Sequence, residues 1–133
     1  MAQSTEILPN GLQLLQDDRF FKLGQDSVLL SAFAKPRRNA KLLDLGCGTG
    51  ALALLVWRPD LKITGLELQD GSLDLFRQSI TANELENVTA LQGDLRQMRT
   101  LLPHGSMDYV ICNPPYFATP DPASVNPNPF LAT

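Results

Sequence analysis

Apolar and polar residues are arranged irregularly over the first 25 positions and then follow a helical spacing. Pro9, Asn10 and Gly11 indicate a turn, so we predict an irregular or hairpin-like segment here. From Asp26 to Pro36 apolar residues recur at helical intervals, which predicts one short amphipathic helix. The apolar positions of this helix are Val28, Leu29, Ala32 and Phe33.

Between Lys41 and Cys112, short β-compatible apolar runs alternate with segments of helical spacing. The predicted strands are 41–45, 61–67, 88–91 and 107–112. The predicted helices are 51–57, a segment that Asp70 caps and that ends in the polar stretch 83–87, and 95–102. This alternation is typical of parallel strands joined by right-handed crossovers, with helices on both sheet faces and ligands at the carboxyl ends of the strands. The sequence therefore predicts an α/β, Rossmann-like fold.

Prolines are concentrated after the fourth predicted strand, and six of the ten lie at or beyond Pro114. We divide the chain into a lead-in with its short helix (1–40), an α/β core (41–117) and a loop or disordered tail (118–133). Four strands are few for a doubly wound sheet, and the fourth would lack an outer neighbour. We therefore expect a sheet truncated after its fourth strand, in the amino-terminal part of a longer protein.

Composition excludes several classes of protein. The 133 residues are 44% hydrophobic and 19% charged, as in one soluble globular domain. The longest apolar run, 52–57, is far shorter than the ~20 residues that cross a bilayer, and no secretory signal is present at the start. We expect a cytoplasmic protein with no membrane contact. Cys47 and Cys112 lie in no metal-binding spacing, so no metal is expected.

Charge limits how a nucleic acid would be bound. Eleven Lys and Arg residues against 14 Asp and Glu give a net charge of −3, so binding would need a local basic patch. The candidates for such a phosphate track are Lys35, Arg37, Arg38, Arg96 and Arg99. A solvated loop is the simpler interpretation of the run around Arg37, and it is the one favoured here.

The segment from Asp44 to Gly50, DLGCGTG, lies between a predicted strand and a predicted helix, where glycines let a ligand approach the backbone. Glu67 ends the next strand and can accept hydrogen bonds from ribose hydroxyls, and Asp94 follows the third strand. We expect the three carboxylates to converge on one rim and bind a nucleoside cofactor. Two simpler interpretations stay open: Asp94 caps a helix, and Glu67 is a solvated strand end. Cys47 is predicted to fill the turn rather than to act as a nucleophile.

The same turn fits the looser dinucleotide pattern G-x-G-x-x-A through Gly46, Gly48 and Ala51, so NAD stays an alternative at this point. The exit of the fourth strand, Asn113-Pro114-Pro115-Tyr116, separates the two interpretations. Here the chain resembles the class I S-adenosylmethionine-dependent methyltransferases, specifically the amino-methylating branch marked by N-P-P-Y. The resemblance implies a class I methyltransferase sheet that binds S-adenosyl-L-methionine and releases S-adenosyl-L-homocysteine. The residues expected to bind this cofactor are Asp44, Gly46, Cys47, Gly48, Gly50, Glu67, Leu68, Asp94 and Asn113.

The N-P-P-Y residues suit methylation of a planar amine, whose nitrogen lone pair is delocalised. The side-chain oxygen of Asn113 and the carbonyl of Pro114 can each accept one N–H and favour a more tetrahedral nitrogen. Consecutive prolines restrict φ and hold those carbonyls in a fixed direction. We predict that Asn113, Pro114 and Tyr116 are catalytic, and that Pro115, Tyr116 and Phe117 bind the substrate, with Tyr116 stacking on a planar base or amide.

The lead-in narrows the substrate. Residues 20–34 resemble the segment that precedes the cofactor core in the valine-tRNA (adenine-37-N6) methyltransferases. The residues that carry this likeness are Phe21, Gly24, Asp26, Ser27, Leu29, Leu30 and Phe33. The resemblance implies a lead-in that helps cover the cofactor, and tRNA as the substrate. Alternatives with related motifs are glutamine-N5 methyltransferases of release factors and rRNA guanine-N2 methyltransferases. A catalytically inactive cofactor-binding module is an alternative of another class.

Overall fold

The computed structural model of this chain describes residues 3–17, 25–102 and 105–112. Its strands are β1 (Gln3–Ile7), β2 (Gln13–Asp17), β3 (Lys41–Leu45), β4 (Lys62–Glu67), β5 (Val88–Gln92) and β6 (Tyr109–Cys112). Its helices are α1 (Gln25–Phe33), α2 (Ala51–Leu55), α3 (Asp70–Ala82) and α4 (Met98–Leu101), and a 3-10 turn (Leu95–Gln97) precedes α4. The hairpin-like start, the helix that follows it and the later alternation of strands and helices agree with the sequence prediction.

The four strands β3 to β6 form one parallel sheet in the order β5-β4-β3-β6. The chain steps outward from β3 to β4 and β5, and then returns to place β6 on the other side of β3. Right-handed crossovers put the outward and returning connections on opposite faces of such a sheet. The reversal of direction between β3 and β6 is a topological switch point, where open α/β sheets bind ligands at the carboxyl ends of their strands. The predicted α/β class is confirmed.

The core lies between the sheet and the helices that follow β3 and β4. Alternate and consecutive apolar residues of the central strands are buried, as in parallel sheets that are covered on both faces. Phe76 of α3 is fully buried at the centre of this core. Around it lie Leu42, Ala53, Leu54, Leu61, Ile63 and Leu73.

The amino-terminal hairpin is held against α3 by side chains that replace a neighbouring strand. Asn83 accepts the Gln13 N–H (2.8 Å from N to Oδ1) and donates its amide to the Gln13 carbonyl (2.7 Å from Nδ2 to O). Ser79 accepts the N–H of Leu15, at 2.9 Å from N to Oγ. These bonds satisfy outward backbone groups of β2 that would otherwise be unpaired. The hairpin is therefore part of the folded domain, which also buries Leu14.

Replacing Asn83 with alanine is expected to loosen the hairpin. The variant loses both side-chain bonds to Gln13 and should unfold with a free energy roughly 1–3 kcal/mol below that of the wild type. Hydrogen exchange at the Gln13 backbone amide should be faster in this variant than in the wild type. Thr81→Ala is the matched control, because Thr81 is exposed on the same helix and bonds only within it. Equal stability of the two variants would contradict this account of the hairpin.

Several predicted helix boundaries are wrong in an informative way. Gln69, not Asp70, is the N-cap of α3, and no side chain caps it. Asp70 lies in the first turn, and its carboxylate accepts a hydrogen bond from the side chain of Gln92. The predicted helix 51–57 ends at Leu55, and the predicted helix 95–102 divides into a 3-10 turn and one short α-helix. Short helices of this kind are fixed by packing, which spacing alone does not reveal.

Helix α1 presents a different face to the core from the predicted one. Leu29 and Phe33 are 57% and 78% exposed. Ser27 is buried, and Leu30 and Ala34 pack against the core from the opposite side. The spacing of the buried positions is still helical, so the helix is correct while its inward face was misassigned.

The predicted tail (118–133) lies outside the described residues. In the part of the chain that is described, no helix is long and apolar enough to cross a membrane.

Candidate functional site

The glycine turn leaves β3 at the switch point of the sheet and is tied to β4. The Cys47 N–H donates to the Leu66 carbonyl (3.0 Å from N to O), and the Gly48 N–H donates to the Glu67 carboxylate (2.8 Å from N to Oε1). Gly46 and Gly48 have φ of 64° and 55°, and an added Cβ at either would meet nothing within 4 Å. These two positions therefore bend the chain and leave open space beside the backbone.

Gly50 ends the same turn but has a different physical reason to be glycine. Its φ is 91°, and an added Cβ would lie 2.1 Å from Cδ1 of the buried Phe76. Gly65 in β4 faces the same ring, and its Cβ would lie 2.5 Å from Cε2 of Phe76 and 2.8 Å from Sγ of Cys47. Both glycines make room for the core beneath the turn.

Gly65 and Phe76 support the turn and were missed by the sequence reasoning. The signal that was available is a glycine within a strand, which often marks a close approach of other groups.

Glu67 lies across the mouth of the glycine turn. One of its carboxylate oxygens accepts the Gly48 N–H, and the other accepts the N–H groups of Leu68 and Gln69, at 3.0 and 2.9 Å from Oε2. A carboxylate offers about four acceptor positions, so three are already used. One acceptor position is left, so two ribose hydroxyls could both donate to Glu67 only if one backbone N–H, such as that of Gly48, gave up its hydrogen bond. Leu68 follows Glu67 in the chain and is 59% exposed, as a residue that packs against a base would be.

Asp44 is the most perturbed carboxylate among the described residues. Its side chain is 1% exposed, and its Oδ2 atom has no hydrogen-bond partner. Burial raises the pKa of Asp44 to about 8; a hydrogen bond from the Ala53 backbone lowers it, and the nearby charge of Glu67 raises it further. A buried carboxylate oxygen without a partner next to an open glycine turn is suited to a ligand that brings an N–H group or a positive charge.

The raised pKa makes stability depend on pH with a definite sign. The folded protein keeps a proton on Asp44 that the unfolded chain releases near pH 4, so the free energy of unfolding falls as pH rises from about 4 to about 8. Asp44→Asn removes this pH-dependent fall in the free energy of unfolding, because the asparagine side chain does not titrate. The stability of the variant relative to the wild type should grow by up to ~1.4 kcal/mol per pH unit across that window.

Urea unfolding of both proteins at pH 5 and pH 8 measures this difference. Asp60→Asn is the control, because the Arg58 guanidinium lowers the pKa of Asp60 and this carboxylate is ionised in the folded and unfolded states at both pH values. The stability difference between Asp60→Asn and wild type should therefore be the same at pH 5 and pH 8. An Asp44→Asn difference that is the same at both pH values would refute the assignment of a neutral, buried carboxyl.

Asp94 lies at the same rim as Glu67 but is engaged locally. The Gly93 N–H donates to the Glu67 carbonyl at 3.1 Å from N to O, which places the end of β5 beside that of β4. The Asp94 carboxylate accepts the backbone N–H of Arg96 (2.8 Å from N to Oδ1) and pairs with its guanidinium (2.6 Å from Nη2 to Oδ2). The Arg96 hydrogen bond lowers the pKa of Asp94 to about 2. The structure thus brings Asp44 and Glu67 together, while Asp94 caps the turn that follows it.

Cys47 fills the base of the glycine turn. It is 8% exposed, and burial raises the pKa of its thiol, so it is held in the unreactive form. Among the described residues, no group of three or more His, Cys, Asp or Glu side chains is arranged to hold a metal ion.

The predicted N-P-P-Y residues, Asn113 to Tyr116, and Phe117 lie outside the described residues. Strand β6 is described to its last residue, Cys112, which pairs with Leu45 immediately before the glycine turn. The fourth strand therefore ends at the switch point, beside the Asp44 turn.

The parallel sheet, its strand order and a glycine turn closed by an acidic strand end define a Rossmann-like nucleotide-binding domain of the type found in methyltransferases. The chain belongs to the methyltransferase small domain family, whose sequence model matches residues 24–125. That match covers the glycine turn, Glu67 and the N-P-P-Y segment.

Curated proteins with similar sequences are consistent with membership of this family. The chain is 33% identical over 101 residues to the tRNA1(Val) (adenine(37)-N6)-methyltransferase of Yersinia pestis (strain Pestoides F). The alignment covers 73% of this chain and 40% of that protein, so the chain spans less than half the length of the curated relatives that it matches.

Solved structures share the fold. The tRNA (uracil-54, C5)-methyltransferase of Pyrococcus abyssi, in complex with S-adenosyl-L-homocysteine, superposes with a TM-score of 0.66 at 15% identity, over 85% of this chain and 28% of that chain. The YcgJ protein of Bacillus subtilis superposes with a TM-score of 0.56 at 25% identity, over 67% of this chain and 38% of that chain.

Proposed function

We propose that this protein is an S-adenosylmethionine-dependent N-methyltransferase. The observation that carries the proposal is the juxtaposition of the open glycine turn, the buried Asp44 and Glu67 at the switch point of a methyltransferase-family sheet. When bound, S-adenosylmethionine supplies an electrophilic methyl group. Glu67 and Leu68 suit its ribose and base, and the unpartnered oxygen of Asp44 suits a cationic or N–H group of its amino-acid part.

For the acceptor, we propose the exocyclic N6 amine of adenine in a tRNA. Support comes from the N-P-P-Y sequence and from the 33% identity to a tRNA1(Val) adenine-N6 methyltransferase. Asn113 directly follows Cys112 in the sequence, and Cys112 pairs with Leu45 beside the glycine turn. In this proposal Asn113 and the Pro114 carbonyl hold the amine, and Tyr116 stacks on the base.

A methylation assay tests both levels of the proposal. The protein is incubated with donor labelled on its methyl group and with three acceptors: an unmodified valine tRNA transcript, a release factor and ribosomal RNA. We expect label in the tRNA, and N6-methyladenosine after digestion to nucleosides. Label only on a release-factor glutamine or on guanine N2 would contradict the substrate while keeping the cofactor chemistry.

Calorimetry separates the remaining alternatives, because it measures cofactor binding without turnover. S-adenosylhomocysteine is expected to bind, whereas NAD is not. Binding of S-adenosylhomocysteine with no transfer to any acceptor would indicate a cofactor-binding module instead of an enzyme. The aligned part of the chain covers 40% of the relative's length, so a cofactor-binding module is the second candidate to test. Tight NAD binding with no affinity for S-adenosylhomocysteine would reject the proposal altogether.

A further inference from the structure

Basic residues cluster at the end of the sheet where its parallel strands begin, opposite the cofactor site. We call this end the amino-terminal edge. Six of the 11 Lys and Arg residues of the chain lie between positions 35 and 62. Five of the six are exposed and surround the first residues of β3, β4 and β6. We call these five residues the basic edge: Lys35, Arg37, Arg38, Lys41 and Lys62.

The structure corrects the phosphate track suggested by the sequence. Arg96 follows the carboxyl end of β5 and pairs with Asp94, so it lies at the other edge of the sheet from Arg37. Lys62 takes its place at the amino-terminal edge, because the register sets it directly beside Lys41 on neighbouring parallel strands. This neighbour was not visible from the sequence, where the two lysines are 21 positions apart.

The register of β3 and β4 places like charges side by side. The α-carbons of Lys41 and Lys62 are paired in the register, so two like charges start from neighbouring positions, an arrangement that an anion bound there would stabilise. Neither lysine forms a salt bridge with a described carboxylate. The domain therefore places two positive charges side by side at its surface, and the nearest carboxylate to Lys41, Asp108, is shared with Arg37.

The carboxylates near the basic edge are already engaged or lie to one side. Asp108 pairs with Arg37 (3.3 Å from Oδ1 to Nη2) and accepts the Lys41 N–H, and Asp60 pairs with Arg58 (2.8 Å from Oδ2 to Nη2). Glu84 and Glu86 precede β5 at the far end of the edge and form no salt bridge with another described residue. The half of the edge around β3 and β6 thus carries excess positive charge on a chain whose net charge is −3.

Arg58 organises the loop that displays these charges. Its guanidinium donates to the carbonyls of Pro36 and Arg37, at 3.0 Å from Nη1 and 3.3 Å from Nη2, while it pairs with Asp60. The Lys35 N–H also donates to the Tyr109 hydroxyl, at 3.3 Å from N to O. The basic residues therefore project from a backbone that is fixed by side-chain bonds, which lowers the entropy lost when they meet a ligand.

We propose that the basic edge binds the phosphate backbone of the RNA substrate, at a distance from the methylated base. The inference rests on the proposed function for its choice of RNA. Strands of five to six residues separate the two edges by roughly 17–20 Å, which a folded RNA extending from the target base can span. A nucleic acid is favoured over a membrane because Ala40 and Leu61, the apolar residues next to Lys41 and Lys62, are buried and offer no surface for insertion. Phe33, two residues before Lys35, is exposed, so a membrane is the competing partner in the test.

The test is a binding measurement in which methylation plays no part. A fluorescent, unmodified valine tRNA transcript is titrated with wild type, with the double variant Lys41→Gln/Lys62→Gln and with Arg77→Gln, at several salt concentrations. Arg77 is exposed on α3, away from the basic edge, and is the matched control. S-adenosylhomocysteine binding is measured for each protein to show that the cofactor site is intact.

We expect the double variant to bind tRNA about tenfold more weakly and to lower the slope of log K against log salt by ~2, because two phosphate contacts are lost. Arg77→Gln should stay within about twofold of wild type. Unchanged tRNA affinity and slope in the double variant would overturn the inference, as would an equal loss in Arg77→Gln. Anionic vesicles of phosphatidylserine are the competing ligand, and a loss of vesicle binding without a loss of tRNA binding would also reject it.

The two proposals fail separately. A protein that methylates tRNA and whose double variant retains full affinity and KM refutes the basic edge alone. A protein that does not methylate tRNA but binds it through Lys41 and Lys62 refutes the proposed function alone.

Discussion

Replacing Asn113 with alanine is expected to lower kcat for methyl transfer by about 10³ while leaving the dissociation constant for S-adenosylhomocysteine within a few-fold of wild type. The side-chain oxygen of Asn113 is proposed to accept an N–H of the target amine, and a group of this kind acts mainly on the transition state. Removal of one such group in enzymes costs about 10²–10³ in rate. The measurement is single-turnover transfer with saturating cofactor and tRNA.

The control for Asn113→Ala lies on the cofactor side of the site. Glu67→Gln should weaken S-adenosylhomocysteine binding, because Glu67 is proposed to accept hydrogen bonds from ribose, and should affect the rate at saturating cofactor less. Retained turnover in Asn113→Ala, or a loss of cofactor affinity equal to that of Glu67→Gln, would contradict the role assigned to Asn113.

Substitutions at two glycines of one turn are expected to act on different properties, one mainly on cofactor binding and the other mainly on stability. Gly48→Val places a side chain in the open space beside the turn and should weaken S-adenosylhomocysteine binding by about 100-fold, because the cofactor can no longer approach the backbone. Gly50→Ala directs its methyl group into the ring of Phe76 and should lower the free energy of unfolding by roughly 2–5 kcal/mol.

Calorimetric titration and urea unfolding of both variants separate the two effects. Gly48→Val also carries some strain, because its φ of 55° disfavours a branched side chain, so its stability should fall, but less than that of Gly50→Ala. The double variant Gly50→Ala/Phe76→Leu should recover part of the lost stability if the ring is the obstacle. A Gly48→Val protein that binds cofactor normally would place the cofactor elsewhere.

Local sequence patterns predict the strands and the residues of the site more accurately than the helices. The apolar runs around Leu43 and Ile63 are buried on both faces, so their composition alone marks central parallel strands. The glycine turn and Glu67 follow those strands at fixed positions, and parallel topology brings strand ends together. The parallel arrangement of the strands and the juxtaposition of Asp44 with Glu67 therefore followed from local patterns.

Other features depend on contacts between distant segments, which local patterns do not contain. The misassigned face of α1 is one case, because the exposed Leu29 and Phe33 are as apolar as Leu30, which packs against the core, and α1 packs against the distant segment α2. The pairing of Asp94 with Arg96 is another, since a carboxylate after a strand suits either a ligand or the next turn. The charge pair of Lys41 and Lys62 depends on sheet register, which the sequence does not specify.

We expect S-adenosylmethionine to lie across the carboxyl ends of β3 and β4, with its methyl group directed at the residue that follows β6. A crystal structure of the protein with S-adenosyl-L-homocysteine would show whether it does. Ribose hydroxyls are expected within hydrogen-bond distance of the Glu67 carboxylate, the amino-acid part beside Asp44 and Gly46, and the sulfur facing the side-chain amide of Asn113. A ligand bound away from the glycine turn, or an Asn113 side chain directed away from the sulfur, would contradict it.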